Sequence, residues 1–153
     1  MYIDYLISSI GIIRIQANTK AINSISFVET VGMDIHSNSL IQTCKTQLSE
    51  YLNGQRTLFS VPVSIEGTSF QKEVWNALID IPYGNTYSYQ EIALAIKKPT
   101  ALRAVGTAIG KNPLAIIIPC HRVLPKQGGI GNYHWGKSIK ETLLNLEKLH
   151  NNQ

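Results

Sequence analysis

Hydrophobic positions along the chain change period more than once. In residues 2–7, 10–16 and 21–28 they alternate or run on through β-branched side chains, with breaks at Gly11 and Asn18, which predicts a small antiparallel sheet. From Ser39 the spacing lengthens. Leu40, Ile41, Cys44, Leu48, Tyr51 and Leu52 recur every three to four positions up to Gly54, predicting a helix packed on that sheet. Cys44 falls on its apolar stripe and reads as a buried structural thiol. The polar, proline-containing stretch 56–67 reads as a connection, so the chain divides into an α/β domain, 1–63, and a mostly α domain, 64–153. In the second, Thr68 caps a helix carrying Phe70, Val74, Trp75 and Leu78 on one face and ending before Pro82. Ser88 and Glu91 stand at capping-box spacing ahead of Tyr89, Ile92, Ala93 and Ile96. After Pro99 another helix runs from about Thr100 to Gly110 with Leu102, Val105 and Ile109 at core spacing. Two short helices joined by a tight turn predict a helix-turn-helix. Residues 137–149 read as an amphipathic closing helix.

The second helix of that pair has an unusual outer side. Arg103, Gly106, Thr107 and Gly110 share a face, flanked by Ala104, Ala108 and Lys111. Such a surface is nearly flat with one long cationic arm. It suits close approach to a nucleic-acid groove or backbone without base reading, and equally suits tight packing inside the protein. Charge bears on that choice. Residues 1–63 hold four basic and four acidic side chains, whereas 64–153 hold ten and six, so the net charge of +4 lies in the second part. Between Gly84 and Lys126, Lys97, Lys98, Arg103, Lys111, Arg122 and Lys126 face one acid, Glu91, a field suited to a polyanion.

Composition narrows the class. With 153 residues and 44% hydrophobic side chains the chain can build a real core. Its longest apolar run, 113–120, is far shorter than the roughly 20 residues that span a bilayer, so no membrane association is expected. The amino terminus carries Asp4 where a secretory leader has basic residues, and two cysteines without a CxxC fit a reducing compartment; both lead to a cytoplasmic expectation.

The strongest chemical signal is 116–123, where an apolar run delivers Pro119, then Cys120 with His121 and Arg122 beside it. A thiol is mostly protonated at neutral pH and needs a base or a positive field to attack, and an acid orients the imidazole that serves as base. Glu141 and Glu147 on the last helix are both available as that acid. The cysteines and histidines show no metal-ligand spacing, so no metal is expected.

Pro119-Cys120-His121-Arg122-Val123 resembles the signature of the O6-alkylguanine-DNA alkyltransferases, the methylated-DNA–protein-cysteine methyltransferases. Phe70-Gln71 with Val74-Trp75, Ile81-Pro82-Tyr83-Gly84, Ser88-Tyr89, Arg103-Ala104-Val105-Gly106, Asn112-Pro113, Gly131-Asn132-Tyr133 and Lys140-Glu141 with Leu143-Leu144 recur in family order over about residues 68–148. The resemblance implies a ribonuclease-H-like amino-terminal domain and a winged helix-turn-helix. It implies a monomer that binds double-stranded DNA carrying O6-alkylguanine, rotates the base out through the minor groove, and transfers the alkyl group once to Cys120, without a cofactor.

In that reading Arg103 fills the space of the extruded nucleotide, while Ala101, Ala104, Gly106, Thr107 and Lys111 meet DNA. Tyr89 protonates the guanine ring. His121, held by Glu147, removes the thiol proton through a water. Asn112 braces the active turn, the carbonyls of Cys120 and Val123 accept from the guanine amino group, and Tyr133, His134 and Trp135 wall the pocket. O4-alkylthymine is a second expected substrate. Trp135 and Ala115 depart from the vertebrate pattern, so poor reaction with free O6-benzylguanine is expected. The chain also resembles the lesion sensors that bind without repair, but those carry tryptophan in place of the reactive cysteine. A cysteine hydrolase would use Cys with His and leave Tyr89, Arg103 and the basic helix pair unexplained.

Overall fold

The computed structural model describes residues 1–151. Three strands, β1 (Tyr2–Ser8), β2 (Gly11–Ala17) and β3 (Ile22–Val28), form an antiparallel sheet in the order β1-β2-β3. Short turns join them, and aliphatic residues fill inner rungs: Leu6 pairs with Ile13, and Ile15 with Ile25. Helix α1 (Ser39–Leu52) starts where the Asn38 side chain accepts from the Ile41 N–H, and it packs on all three strands. Ile13, Ile15 and Ile25 on the sheet and Ile41, Cys44 and Leu48 on α1 are fully buried, each aliphatic side chain contributing about 1.5–3 kcal/mol. Burial pushes the Cys44 thiol up to about 12, which leaves it an unreactive core group.

The chain forms two compact units, residues 1–65 with 113–115, and residues 66–112 with 116 onward. The return of Pro113–Ala115 to the first unit is a backbone event: the Ile25 N–H donates to the Pro113 carbonyl and the Ala115 N–H to the Ile25 carbonyl, both at 2.9 Å. Leu114 thereby extends the sheet edge at β3.

The second unit is largely helical. Both α2 (Ser69–Ile79) and α3 (Tyr89–Ala95) open with complete capping boxes, Thr68 with Gln71 and Ser88 with Glu91. Helix α4 (Leu102–Gly110) starts at Ala101 without a side-chain cap. It is held on α2 by a hydrogen bond from the Trp75 indole to the Ala108 carbonyl, 2.9 Å. The 3₁₀ turn Cys120–Arg122 follows Pro119, and α5 (Lys137–His150) closes the unit. A two-residue parallel ladder sets the rest. Strand β4 (Tyr87–Ser88) pairs with β5 (Val123–Leu124), Tyr87 opposite Val123. Because β4 runs directly into Tyr89 and β5 directly out of the cysteine turn, this register brings the first residue of α3 beside Cys120. Among the described residues no helix is long and apolar enough to cross a membrane.

Candidate active site

Cys120 is 3% exposed and opens the 3₁₀ turn. Asn112, just past the end of α4, donates through Nδ2 both to the Ile118 carbonyl at 2.8 Å and to Cys120 Sγ at 3.0 Å, fixing the backbone before the cysteine and the sulfur together. Burial pushes the thiol up to about 11, against the hydrogen bond from Asn112 and the positive charge of Lys140, which pull it down. The resting sulfur is therefore a neutral thiol, and attack needs a base.

His121 is the adjacent candidate for that base. Its ring is fully buried, and Nε2 lies 2.7 Å from Glu147 Oε2. Burial alone would raise the Glu147 carboxyl, but hydrogen bonds from His121 and Arg122 outweigh it and hold the acid well below the usual carboxylate range. An ionised acceptor at Oε2 requires that Nε2 carry the proton, so the neutral ring, favoured by its own burial, presents the Nδ1 lone pair. Among the described residues Nδ1 has no hydrogen-bond partner.

Arg122 holds the acid in turn. Its Nε donates to Oε1 at 2.8 Å, Nη2 to Oε2 at 2.9 Å and Nη1 to the Ile81 carbonyl at 2.7 Å, a planar fork that fixes the carboxylate. The Gly84 N–H adds a bond to Oε1 at 3.3 Å. Gly84 has φ +82, a left-handed conformation that favours glycine at that turn.

A cavity of about 220 Å³ opens onto this cysteine, lined by Tyr89, Gly106, Ile109, Gly110, Cys120, Asn132, Tyr133 and His134, with no carboxylate among them. Burial raises the Tyr89 phenol and, more strongly, that of Tyr133, so both are neutral proton donors. Tyr133 and His134 meet the Trp135 ring edge-on, at centroid distances of 5.4 and 4.9 Å.

Two family profiles cover nearly all of the chain: the ribonuclease-like domain of 6-O-methylguanine DNA methyltransferase matches residues 1–65, and its DNA-binding domain residues 69–149. The chain belongs to the 6-O-methylguanine DNA methyltransferase family. A methylated-DNA–protein-cysteine methyltransferase of Methanosarcina barkeri is 43% identical over 97% of this chain and 98% of its own. One of Methanosarcina acetivorans is 40% identical, over 96% and 98%. The crystal structure of Mycobacterium tuberculosis OGT in complex with DNA superposes with a TM-score of 0.90 at 38% identity, covering 98% of this chain and 94% of that one.

For this methyltransferase the second unit brings Cys120, His121, Glu147, Tyr89, Asn112, Tyr133 and His134 into one site. Glu141, the other acid that the sequence offers, is exposed. Arg103, Ala104 and Thr107 lie exposed on α4, Lys111 at its carboxyl end, and Ala101 at its half-buried start. Thr107 spends its hydroxyl on the Arg103 carbonyl, 3.1 Å. Val123 and Trp135, expected on the pocket, are not among the residues lining the cavity; Val123 is fully buried, and Trp135 meets two of the lining rings. Ala115 is also fully buried and tied to β3, not on the cavity, which removes that residue from the expectation about O6-benzylguanine.

Two of the six cations counted toward a DNA-facing field have carboxylate partners: Arg122 is buried on Glu147, and Lys98 pairs with Glu73 at the surface, 2.9 Å. Conversely, a Cβ on Gly106 or Gly110 would meet nothing within 4 Å, so internal packing does not account for small residues there. Sequence reasoning missed Lys140, 1% exposed and close enough for its charge to act on Cys120. The available signal was its spacing: Lys140 and Glu147 sit three before and four after Leu143, on the buried stripe of α5.

Proposed function

We propose that this protein repairs O6-alkylguanine in double-stranded DNA by transferring the alkyl group once and irreversibly to Cys120. The observation that carries the reading is the buried relay Arg122-Glu147-His121, which ends beside a cysteine lining a neutral cavity. The S–H proton passes through a bridging water to His121 Nδ1, and Glu147 stabilises the imidazolium. Sulfur attacks the alkyl carbon, and the C–O bond breaks with its electron pair going to the guanine oxygen. Tyr89 gives its proton to the ring nitrogen on the minor-groove side so that the base leaves neutral, and the imidazolium proton restores the phenol. In sum, the thiol hydrogen replaces the alkyl group on guanine. The thioether has no leaving group, and no cofactor or regenerating step is needed.

The helices α3 and α4 serve as a winged helix-turn-helix. The flat face of Ala101, Ala104, Gly106 and Thr107 approaches the minor groove, Arg103 occupies the space of the rotated-out nucleotide, and Lys111 meets a phosphate. Extrusion costs a few kcal/mol, less for a poorly paired lesion, which contributes selectivity. The carbonyls of Cys120 and Val123 accept from the guanine amino group, and Asn112, Tyr133, His134 and Trp135 shape the pocket. O4-alkylthymine is a second substrate. The first unit is a ribonuclease-H-like scaffold, and the protein works in the cytoplasm as a monomer, since one chain supplies every group of the site.

A titration tests this: with duplex O6-methylguanine in excess, repaired base should rise to one equivalent of protein and stop. Continued turnover would overturn the irreversible transfer.

A further inference from the structure

The relay leaves one buried charge unexplained. Lys140 is among the largest fully buried side chains, and among the described residues no carboxylate pairs with it. Its ammonium donates to the Val123 carbonyl at 2.8 Å and to the Asn132 carbonyl at 3.1 Å. Those two acceptors lie on either side of the loop 125–131, one on the strand leaving the cysteine turn, the other on the cavity wall. The loop is narrow at the same level. Gly131, at φ +76, leaves so little space that a Cβ there would stand 2.8 Å from the Pro125 ring and 3.9 Å from Lys140 Nζ. One cation thus ties together both ends of the segment that carries Asn132, Tyr133 and His134 into the cavity. A buried ammonium held only by carbonyl dipoles is costly unless an anion forms nearby. Cys120 becomes that anion during transfer, and the charge of Lys140 is close enough to favour its thiolate.

We propose that Lys140 is a positioning residue for the transfer: it pins the neck of the 125–131 loop so that the cavity wall stays closed on the substrate, and it supplies the positive charge that the Cys120 thiolate faces. The proposal rests on the alkyl-transfer reading, and its test separates the two. Lys140→Met and Lys140→Arg are compared with the parent in single-turnover transfer from O6-methylguanine duplex at saturating protein, alongside duplex affinity and the rate of tryptic cleavage after Lys126 in the loop.

For Lys140→Met the transfer rate should fall tenfold or more with duplex affinity within twofold, and cleavage after Lys126 should accelerate. Lys140→Arg, which keeps the charge and the donors, should recover most of both. Equal rates in parent and Lys140→Met, or an arginine variant no better than methionine, would overturn the proposal. If Lys140→Met does not fold, the Lys140→Arg result against the parent still decides, because a positioning cation predicts retained transfer and a purely shape-filling lysine predicts loss. Absence of transfer in the parent would instead sink the alkyl-transfer reading itself.

Discussion

Removing the charge of Glu147 leaves Arg122 facing the interior with no counter-ion and lets the His121 ring lose its preferred tautomer. Glu147→Gln should therefore cost about 3–5 kcal/mol of stability, the usual penalty for breaking a buried pair, and should slow transfer as well. The pH dependence has a definite sign. The folded carboxyl is held below its unfolded value, so its contribution is complete above roughly pH 4.3 and is lost as pH falls below it. The stability gap between parent and Glu147→Gln, measured by thermal unfolding, should be widest at pH 6 and shrink toward pH 3; a constant gap would mean that Glu147 is not ionised in the fold. Cys120 and His121 were legible because they are neighbours in sequence and an inert core cysteine needs no such company. The choice between Glu141 and Glu147 required the rotational setting of α5. Leu143 encodes that setting: Glu147 follows it by four positions on the buried side, whereas Glu141 precedes it by two and points to solvent.

Helix α4 carries a conflict between propensity and surface. Glycine inside a helix costs about 1 kcal/mol relative to alanine, and nothing in the protein occupies the space beside Gly106. Gly106→Ala should raise the melting temperature by roughly 2–4 °C, while the added methyl, at the cavity mouth, weakens binding of lesion duplex measured by fluorescence anisotropy. A variant that gains stability and binds as before would show that the flat face is not used. Caps and periodicity made the helices readable, since Thr68 with Gln71 and Ser88 with Glu91 are local signals. The ladder between β4 and β5 was not, because two residues per strand leave no periodicity, yet it places Tyr89 beside the cysteine turn. For the same reason the pairing of Pro113–Ala115 with β3 left no trace in the local pattern.

At the scale of the whole molecule, the uneven charge along the sequence overstates what DNA can meet, since Arg122, Lys140 and Lys98 find partners within the protein. The remaining exposed cations on the helix pair are few, so affinity for duplex should fall only moderately with salt. Lys111→Ala should reduce the slope of log affinity against log salt by about 0.9 if that side chain meets one phosphate, and an unchanged slope would remove Lys111 from the interface. The repair reading turns on one sulfur. After incubation with duplex O6-methylguanine, peptide mapping by mass spectrometry should find one methyl per molecule, on the peptide holding Cys120, with Cys44 unmodified. An unmodified Cys120 in folded protein after prolonged exposure to the lesion would contradict it.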